Sequence, residues 1–179
     1  MKSPNYQIEL RRVFLLEDLP EPLTRASRHL QLFDNYIKNT RMRLRSARDP
    51  QTKDWTRILE QRFPADESDL RVWHTSEIRL NDDEYQALER FEGREIRKNR
   101  YFYKAGEWDL EIDVFIGNLW GLHLAKVYFE TIEELQEFEK PDIAVVEVTN
   151  NFFFTGENLL EKTFADVQAE FTRTVGGKQ

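Results

Sequence analysis

Charged side chains recur at every second position along much of this sequence, and that spacing belongs to extended chain. Tyr6, Ile8 and Leu10 fall on one side of an alternating run, with Gln7, Glu9 and Arg11 on the other. Arg41, Arg43 and Arg45 share one face about Met42 and Leu44, and Trp73, Thr75, Glu77 and Arg79 share another. Successive strand residues point to opposite faces, so each run is a strand with a polar side. Read this way, the chain predicts strands over 6–16, 29–37, 40–48, 55–63, 71–80, 96–103, 108–116, 122–129 and 143–148. Lys38 and Asn39, Gly106, and the stretch from Gly117 to Gly121 supply turns between them. Helices are expected over 82–91 with Asn81 as cap, from Thr131 through Phe138, and over 157–171; residues 176–179 are expected to fray.

A half-exposed sheet normally turns its apolar face inward and its charges outward. About eight long strands that all carry charge on one face fit a barrel with a polar lumen, whose inner side chains line a cavity. The expected fold is mainly β within an α+β class: an eight-stranded antiparallel, tunnel-like barrel with flanking helices. A length of 179 residues suits one domain over 1–179, and no repeat or composition break marks a linker.

Composition excludes several kinds of chemistry. The chain has no cysteine, which removes disulfides, thiolate zinc sites and cysteine nucleophiles, and suits a reducing compartment such as the cytoplasm. The first thirty residues hold no signal-like apolar run, and no stretch approaches the ~18 apolar residues of a membrane span. A formal charge of -7 argues against a broad nucleic-acid surface, so any anion site has to be local. His29, His74 and His123 are too dispersed for a metal cluster, no serine sits in a nucleophile elbow, and the run from Phe152 to Phe154 reads as core or lid packing.

Several segments resemble one family in order. Gln7-Ile8-Glu9-Leu10-Arg11 resembles the Glu-x-Glu-x-Lys strand of the CYTH family, whose members include thiamine-triphosphatase-like and class IV adenylyl-cyclase-like proteins. Ile96-Arg97-Lys98-Asn99-Arg100-Tyr101 resembles its Lys-x-Arg-Tyr strand, and the run from Trp108 through Asp113, Gly117 and Gly121 resembles its following hairpin. Val146-Glu147-Val148-Thr149 fits the late Glu-Val-Thr segment, so the match runs from about Tyr6 to Leu160. The resemblance implies an eight-stranded tunnel holding a triphosphate on basic residues and one or two divalent metals on carboxylates.

The departures from that pattern bear on function. Gln7 stands at the first acidic place, with Glu9 and Arg11 following; starting the motif at Glu9 instead also loses a carboxylate. Where the resemblance calls for Ala-Glu-x-Glu, this chain has Ala125-Lys126-Val127-Tyr128, so both acidic ligands are gone. Arg79 stands where a second acid of the fifth strand is expected beside Glu77, and residues 55–63 hold no clear match for the fourth-strand lysine.

Odd positions of the first, third, fifth and seventh strands, with even positions of the sixth and eighth, define an expected lumen. Its cations, the candidate phosphate ligands, are Arg11, Arg41, Arg43, Arg45, Arg79, Lys98, Arg100 and Lys126. Its acids are Glu9, Glu77, Glu111 and Asp113, leaving a formal +4 inside a -7 chain. The arginines present fixed donors suited to phosphate oxygens; the alternative is a solvated, charged strand face. Glu9, Glu77 and Asp113 are the candidate ligands for magnesium or manganese, the alternative being ion pairing with the arginines. The expected function is binding of a small phosphate-rich anion (nucleotide, triphosphate or polyphosphate) with weakened or absent catalysis. A metal-dependent triphosphatase and a non-catalytic protein-interaction scaffold are the competing expectations.

Overall fold

The computed structural model describes residues 5–91 and 93–176; of the expected fraying tail, 177–179 lie outside the described residues. Nine strands are formed by the described residues: β1 Gln7–Leu16, β2 His29–Ile37, β3 Met42–Arg48, β4 Trp55–Asp66, β5 Asp69–Leu80, β6 Gly93–Ala105, β7 Trp108–Phe115, β8 His123–Phe129 and β9 Ala144–Glu147. Eight close into an antiparallel barrel in the order β1-β5-β4-β3-β2-β6-β7-β8, returning to β1. Closure depends on β1 having two neighbours in succession. Gln7–Leu10 pairs with β5 and Leu10–Leu16 with β8, while β9 adds to β1 alongside Phe14–Leu16, where β5 has diverged.

Register explains how sequence alternation becomes a continuous interior. Arg11 faces Tyr128, Glu111 faces Lys126, Arg100 faces Asp113, Asp34 faces Arg45, Arg43 faces Glu60 and Glu9 faces Trp73 across adjacent strands. Directly opposed residues share a sheet face, so these pairs carry one polar surface around the barrel. The outer wall is apolar where it is covered: Phe14, Leu110, Ile112 and Val127 pack with Leu135 and Phe138 from α2, Ile132–Glu137, and its C-terminal flank. A second core closes part of the interior, where Val13, Ile96, Phe115 and Leu124 meet Phe154, Leu159 and Val167.

Two capping boxes set helix starts as expected. Asn81 and Glu84 exchange hydrogen bonds at the head of α1, Asp82–Leu88, and Thr131 and Glu134 do so at α2. The continuous helix expected over 157–171 is instead two helices, α3 Gly156–Leu159 and α4 Phe164–Gly176. The break follows from Thr163, whose backbone N–H donates to Asp166 Oδ2 at 2.8 Å while the Asp166 N–H donates to its hydroxyl at 3.4 Å. This reciprocal cap begins a new helix rather than continuing the old one. Gly156 is required where it stands, because a Cβ there would lie 1.8 Å from Tyr36 Oη. Gly121, at φ +102, lets the β7–β8 turn pass against the Phe164 ring, which a Cβ would meet at 2.7 Å. No described helix is long and apolar enough to cross a membrane.

Candidate functional site: a charged barrel lumen

The interior is built around buried carboxylates, each shared by several cations. Asp34 and Asp113 are both completely buried. Asp34 accepts from Arg45 Nε at 2.6 Å, Arg45 Nη2 at 2.7 Å and Arg43 Nη1 at 3.3 Å, with Lys98 Nζ at 3.5 Å. Asp113 accepts from Arg100 Nε at 2.7 Å and Nη2 at 2.9 Å, and its Oδ2 also receives Lys98 Nζ at 2.8 Å and Lys126 Nζ at 2.9 Å. Glu60 takes Arg43 Nη2 at 2.6 Å and has Arg62 Nη1 at 3.4 Å. Glu9 takes Arg62 Nη2 at 2.5 Å, and Glu111 takes Arg100 Nη1 at 2.6 Å.

Burial alone would push each buried carboxyl upward, but the surrounding cations overcome it. Arg43, Arg45 and Lys98 hold Asp34 well below the usual carboxylate range; Arg100, Lys126 and Lys98 do the same for Asp113. Glu60 is lowered to about 2 against its burial, chiefly by Arg43 and Arg62. Burial and the neighbouring Arg62 bring Arg11 down to about 10, against the pull of Glu9, and it stays charged at neutral pH. Burial also lowers Lys126 strongly; Asp113 opposes this, while Lys98, Arg100 and Arg11 reinforce it.

A cavity of about 510 Å³ opens onto this network. Arg11, Arg41, Arg43, Arg62, Lys98 and Lys126 line it, against only Glu67 and Glu157 among the acids. Residues 152–159, from the Phe152–Phe154 turn through α3, cover one side. Arg11 and Arg62 stack on the Trp73 ring, with guanidinium carbons 4.4 and 4.8 Å from its centroid. The Nε atoms of Arg11, Arg43 and Arg62 are buried and make no hydrogen bond. Each is a buried donor without an acceptor on a residue that lines the cavity, and such a donor costs stability.

Five of the eight cations singled out from the sequence line the cavity: Arg11, Arg41, Arg43, Lys98 and Lys126. Arg41 is an exposed member at the mouth, its guanidinium 4.0 Å above the Phe63 ring. Arg45 and Arg100 lie beside the cavity, committed to Asp34 and Asp113. Arg79 and Glu77 share the inward parity of β5 but are exposed, where β5 runs beyond its pairing with β1 at Gln7. Gln7 is likewise exposed at that rim.

Glu9, Glu77 and Asp113 are not brought together. Among the described residues, no group of three histidine or acidic side chains is arranged to hold a metal ion. Asp113 is saturated by three cations, two of them lysines, and Glu9 by Arg62 with Arg11 Nε at 3.7 Å. Magnesium and manganese require accessible oxygen ligands, so this donor set does not fit the divalent metal that the resemblance implies. Asp34, Glu60 and Arg62 are the interior residues missing from the sequence assignment. Their signal was present as two-residue spacing, with Asp34 and Tyr36 on one face of β2 and Glu60 and Arg62 on one face of β4. With them the described ring holds seven cations (Arg11, Arg43, Arg45, Arg62, Lys98, Arg100, Lys126) against five carboxylates (Glu9, Asp34, Glu60, Glu111, Asp113), an excess of +2 rather than +4.

No protein-family model matches the chain, and no curated protein matches it significantly. Solved structures do. The crystal structure of the inorganic triphosphatase NE1496 aligns with a TM-score of 0.56 at 24% identity, covering 86% of this chain and 95% of its own. A second crystal structure of NE1496, described as a hypothetical protein, gives 0.57 at 23% identity over 87% and 99%. A conserved hypothetical protein from Pyrococcus furiosus gives 0.50 at 19% identity over 72% and 84%. At these identities the likeness is one of architecture, and together with the closed eight-stranded lumen it gives the chain the fold of the CYTH, or triphosphate-tunnel, proteins.

Proposed function

We propose that the barrel lumen binds a small phosphate-rich anion, a triphosphate, nucleotide or polyphosphate, and that its catalysis is weakened or absent. The observation carrying this reading is the set of buried Arg11, Arg43 and Arg62 guanidiniums with unpartnered Nε atoms beside a cavity that Lys98 and Lys126 also line. Guanidinium donors match phosphate oxygens, and a low-dielectric wall strengthens the attraction. The similar fold of a protein described as an inorganic triphosphatase supports the same ligand class.

Weakened catalysis is supported by the carboxylates. General-base or metal-holding chemistry needs a carboxylate with free lone pairs, whereas Asp34, Asp113 and Glu60 are tied to arginines and lysines and held strongly acidic. Calorimetric titration of tripolyphosphate into folded wild type and Arg11→Ala tests the binding. Wild type is expected to bind, and Arg11→Ala to bind more weakly by about 1.5–3 kcal/mol, the range for hydrogen bonds to charged groups. Equal affinities would remove Arg11 from the site, and no wild-type binding of tripolyphosphate or nucleoside triphosphates would overturn the reading. Phosphate release from tripolyphosphate at an ordinary enzymatic turnover would refute weakened catalysis.

A further inference from the structure

We propose that Lys98 and Lys126 occupy the electrostatic place of a divalent metal, so that this lumen holds a polyphosphate chain without one. The inference rests on the anion-binding reading above and adds to it how the ligand's charge is met. Its basis is a local imbalance. Lys98 Nζ and Lys126 Nζ both bind Oδ2 of Asp113, at 2.8 and 2.9 Å, and Arg100 holds the same carboxylate through Nε and Nη2. Asp113 therefore faces three positive charges, and Glu111 takes up part of Arg100 through Nη1 at 2.6 Å, which still leaves the set one charge positive. The other carboxylate near Lys98, Asp34 at 3.5 Å, is already held by Arg45 and Arg43.

Both lysines line the cavity, and the wall beside them is largely apolar: Val13 faces Lys126 and Phe115 faces Lys98 across the sheet, with Glu111 on the other side of Lys126. In such a setting two lysines on one carboxylate oxygen keep both charges only at a cost, which through burial and mutual repulsion lowers the Lys126 pKa, and an anion between them relieves that cost and favours the charged form of both. Each ammonium has three donors and spends only part of them on Asp113, leaving N–H groups for phosphate oxygens. A divalent cation meets the opposite situation. It would have to strip the lysines from Asp113 and enter beside their charges, and among the described residues no group of three or more acidic or histidine side chains is assembled to receive it. Two tethered charges at fixed positions thus provide the charge neutralisation that a magnesium or manganese ion would otherwise bring with the ligand.

The test is calorimetric titration with sodium tripolyphosphate in EDTA, repeated with manganese at matched free tripolyphosphate, together with a direct manganese titration followed by electron paramagnetic resonance. Wild type is expected to bind tripolyphosphate in EDTA, to change affinity by less than about threefold with manganese, and to bind no manganese by itself. Folded Lys126→Gln should lose about tenfold or more in EDTA, the scale of a charged hydrogen bond. Lys126→Glu should lose more, bind manganese directly, and recover tripolyphosphate affinity when manganese is added. Tripolyphosphate binding by wild type only in the presence of manganese would overturn the inference while leaving the anion site standing, as would manganese binding to wild type alone. Lys126→Gln with wild-type affinity in EDTA would also overturn it. Absence of tripolyphosphate binding in both conditions would overturn this inference, and the anion reading falls with it only if nucleoside triphosphates also fail to bind. The wild-type measurements decide the matter even where a substituted protein does not fold.

Discussion

At the scale of single residues, the interior arginines differ in what they hold, and the difference predicts which can be removed. Arg43 bonds Glu60 and Asp34, and Asp113 anchors Lys98, Arg100 and Lys126. Removing one partner of a buried ion pair leaves the other charge uncompensated, at about 3–5 kcal/mol. Asp113→Ala and Arg43→Ala are therefore expected to lower the urea unfolding free energy by about that amount. Arg11 has only a loose approach to Glu9 at 3.7 Å, with its guanidinium stacked on Trp73. Arg11→Ala should cost less than about 2 kcal/mol, mostly lost packing against the ring. Comparable losses at Arg11 and Arg43 would show that the ion pairs are not what distinguishes them. The same residues show what was legible beforehand. Arg43 and Asp113 stood out because their strands alternate cleanly around them, and Lys98 and Arg100 because their segment resembles the Lys-x-Arg-Tyr strand. Asp34 did not, because its inward neighbour on β2 is the apolar Leu32, and Arg62 did not, because its strand carries polar residues on both faces, with Arg57 and Gln61 on the other one. Inward parity on β2 and β4 is fixed only by pairing with β3 and β5, a long-range fact that single-strand alternation does not contain.

At the scale of elements, the segment over 152–159 depends on one close approach. Gly156 passes so near Tyr36 that a methyl group there would overlap its hydroxyl and ring, and Arg43 Nη1 reaches the same hydroxyl at 3.3 Å. The segment is also fixed by Phe154 and Leu159 in the second core and by its own bonds, with Asn158 Nδ2 donating to the Phe152 carbonyl at 2.7 Å and to Thr155 at 2.9 Å. Gly156→Ala should thus displace an intact cap rather than unravel it, costing about 1–3 kcal/mol as overpacking does. Tyr36→Ala opens the space, so Gly156→Ala should cost much less in that background. A double-mutant cycle is expected to give a coupling of about 1 kcal/mol or more, and an additive cycle would show that the contact carries no strain. Strand existence was legible throughout because long alternating runs leave little ambiguity. Boundaries were not: β4 continues through Pro64 to Asp66, accommodated by a register shift opposite Trp73 and Asp69. Proline is tolerated at such an irregularity, which a rule ending strands at proline does not anticipate. The split of α3 from α4 had a visible marker in Thr163 and Asp166, but helical apolar spacing on either side obscured it.

At the scale of the whole molecule, a polar interior in place of an apolar one makes stability depend on protonation. Glu60 has an ordinary pKa of 4.5 and a folded value of about 2, lowered by Arg43 and Arg62 against its own burial. A carboxyl whose folded pKa is depressed contributes stability that is fully present above its unfolded value and disappears as pH falls through the folded one. Glu60 therefore stabilises the barrel at neutral pH and stops doing so between about pH 4.5 and about 2. Asp34 and Asp113 are depressed in the same direction and add to the same acid loss. Acids outside the lumen such as Asp49 and Asp66 also titrate low through local hydrogen bonds, so the acid limb of wild type alone does not isolate the lumen. Glu60→Gln does isolate it, because glutamine keeps the shape while removing the charge that Arg43 and Arg62 require. Unfolding free energies of the two proteins should differ most at pH 5–7 and converge as pH falls from about 4.5 toward about 2, where wild-type Glu60 takes up its proton. Added sodium chloride at pH 7 should leave the difference nearly intact, since buried pairs are screened little. A difference that is constant over the whole acid range would mean that Glu60 contributes through packing, and one abolished by salt would place its charge in solvent rather than in the barrel.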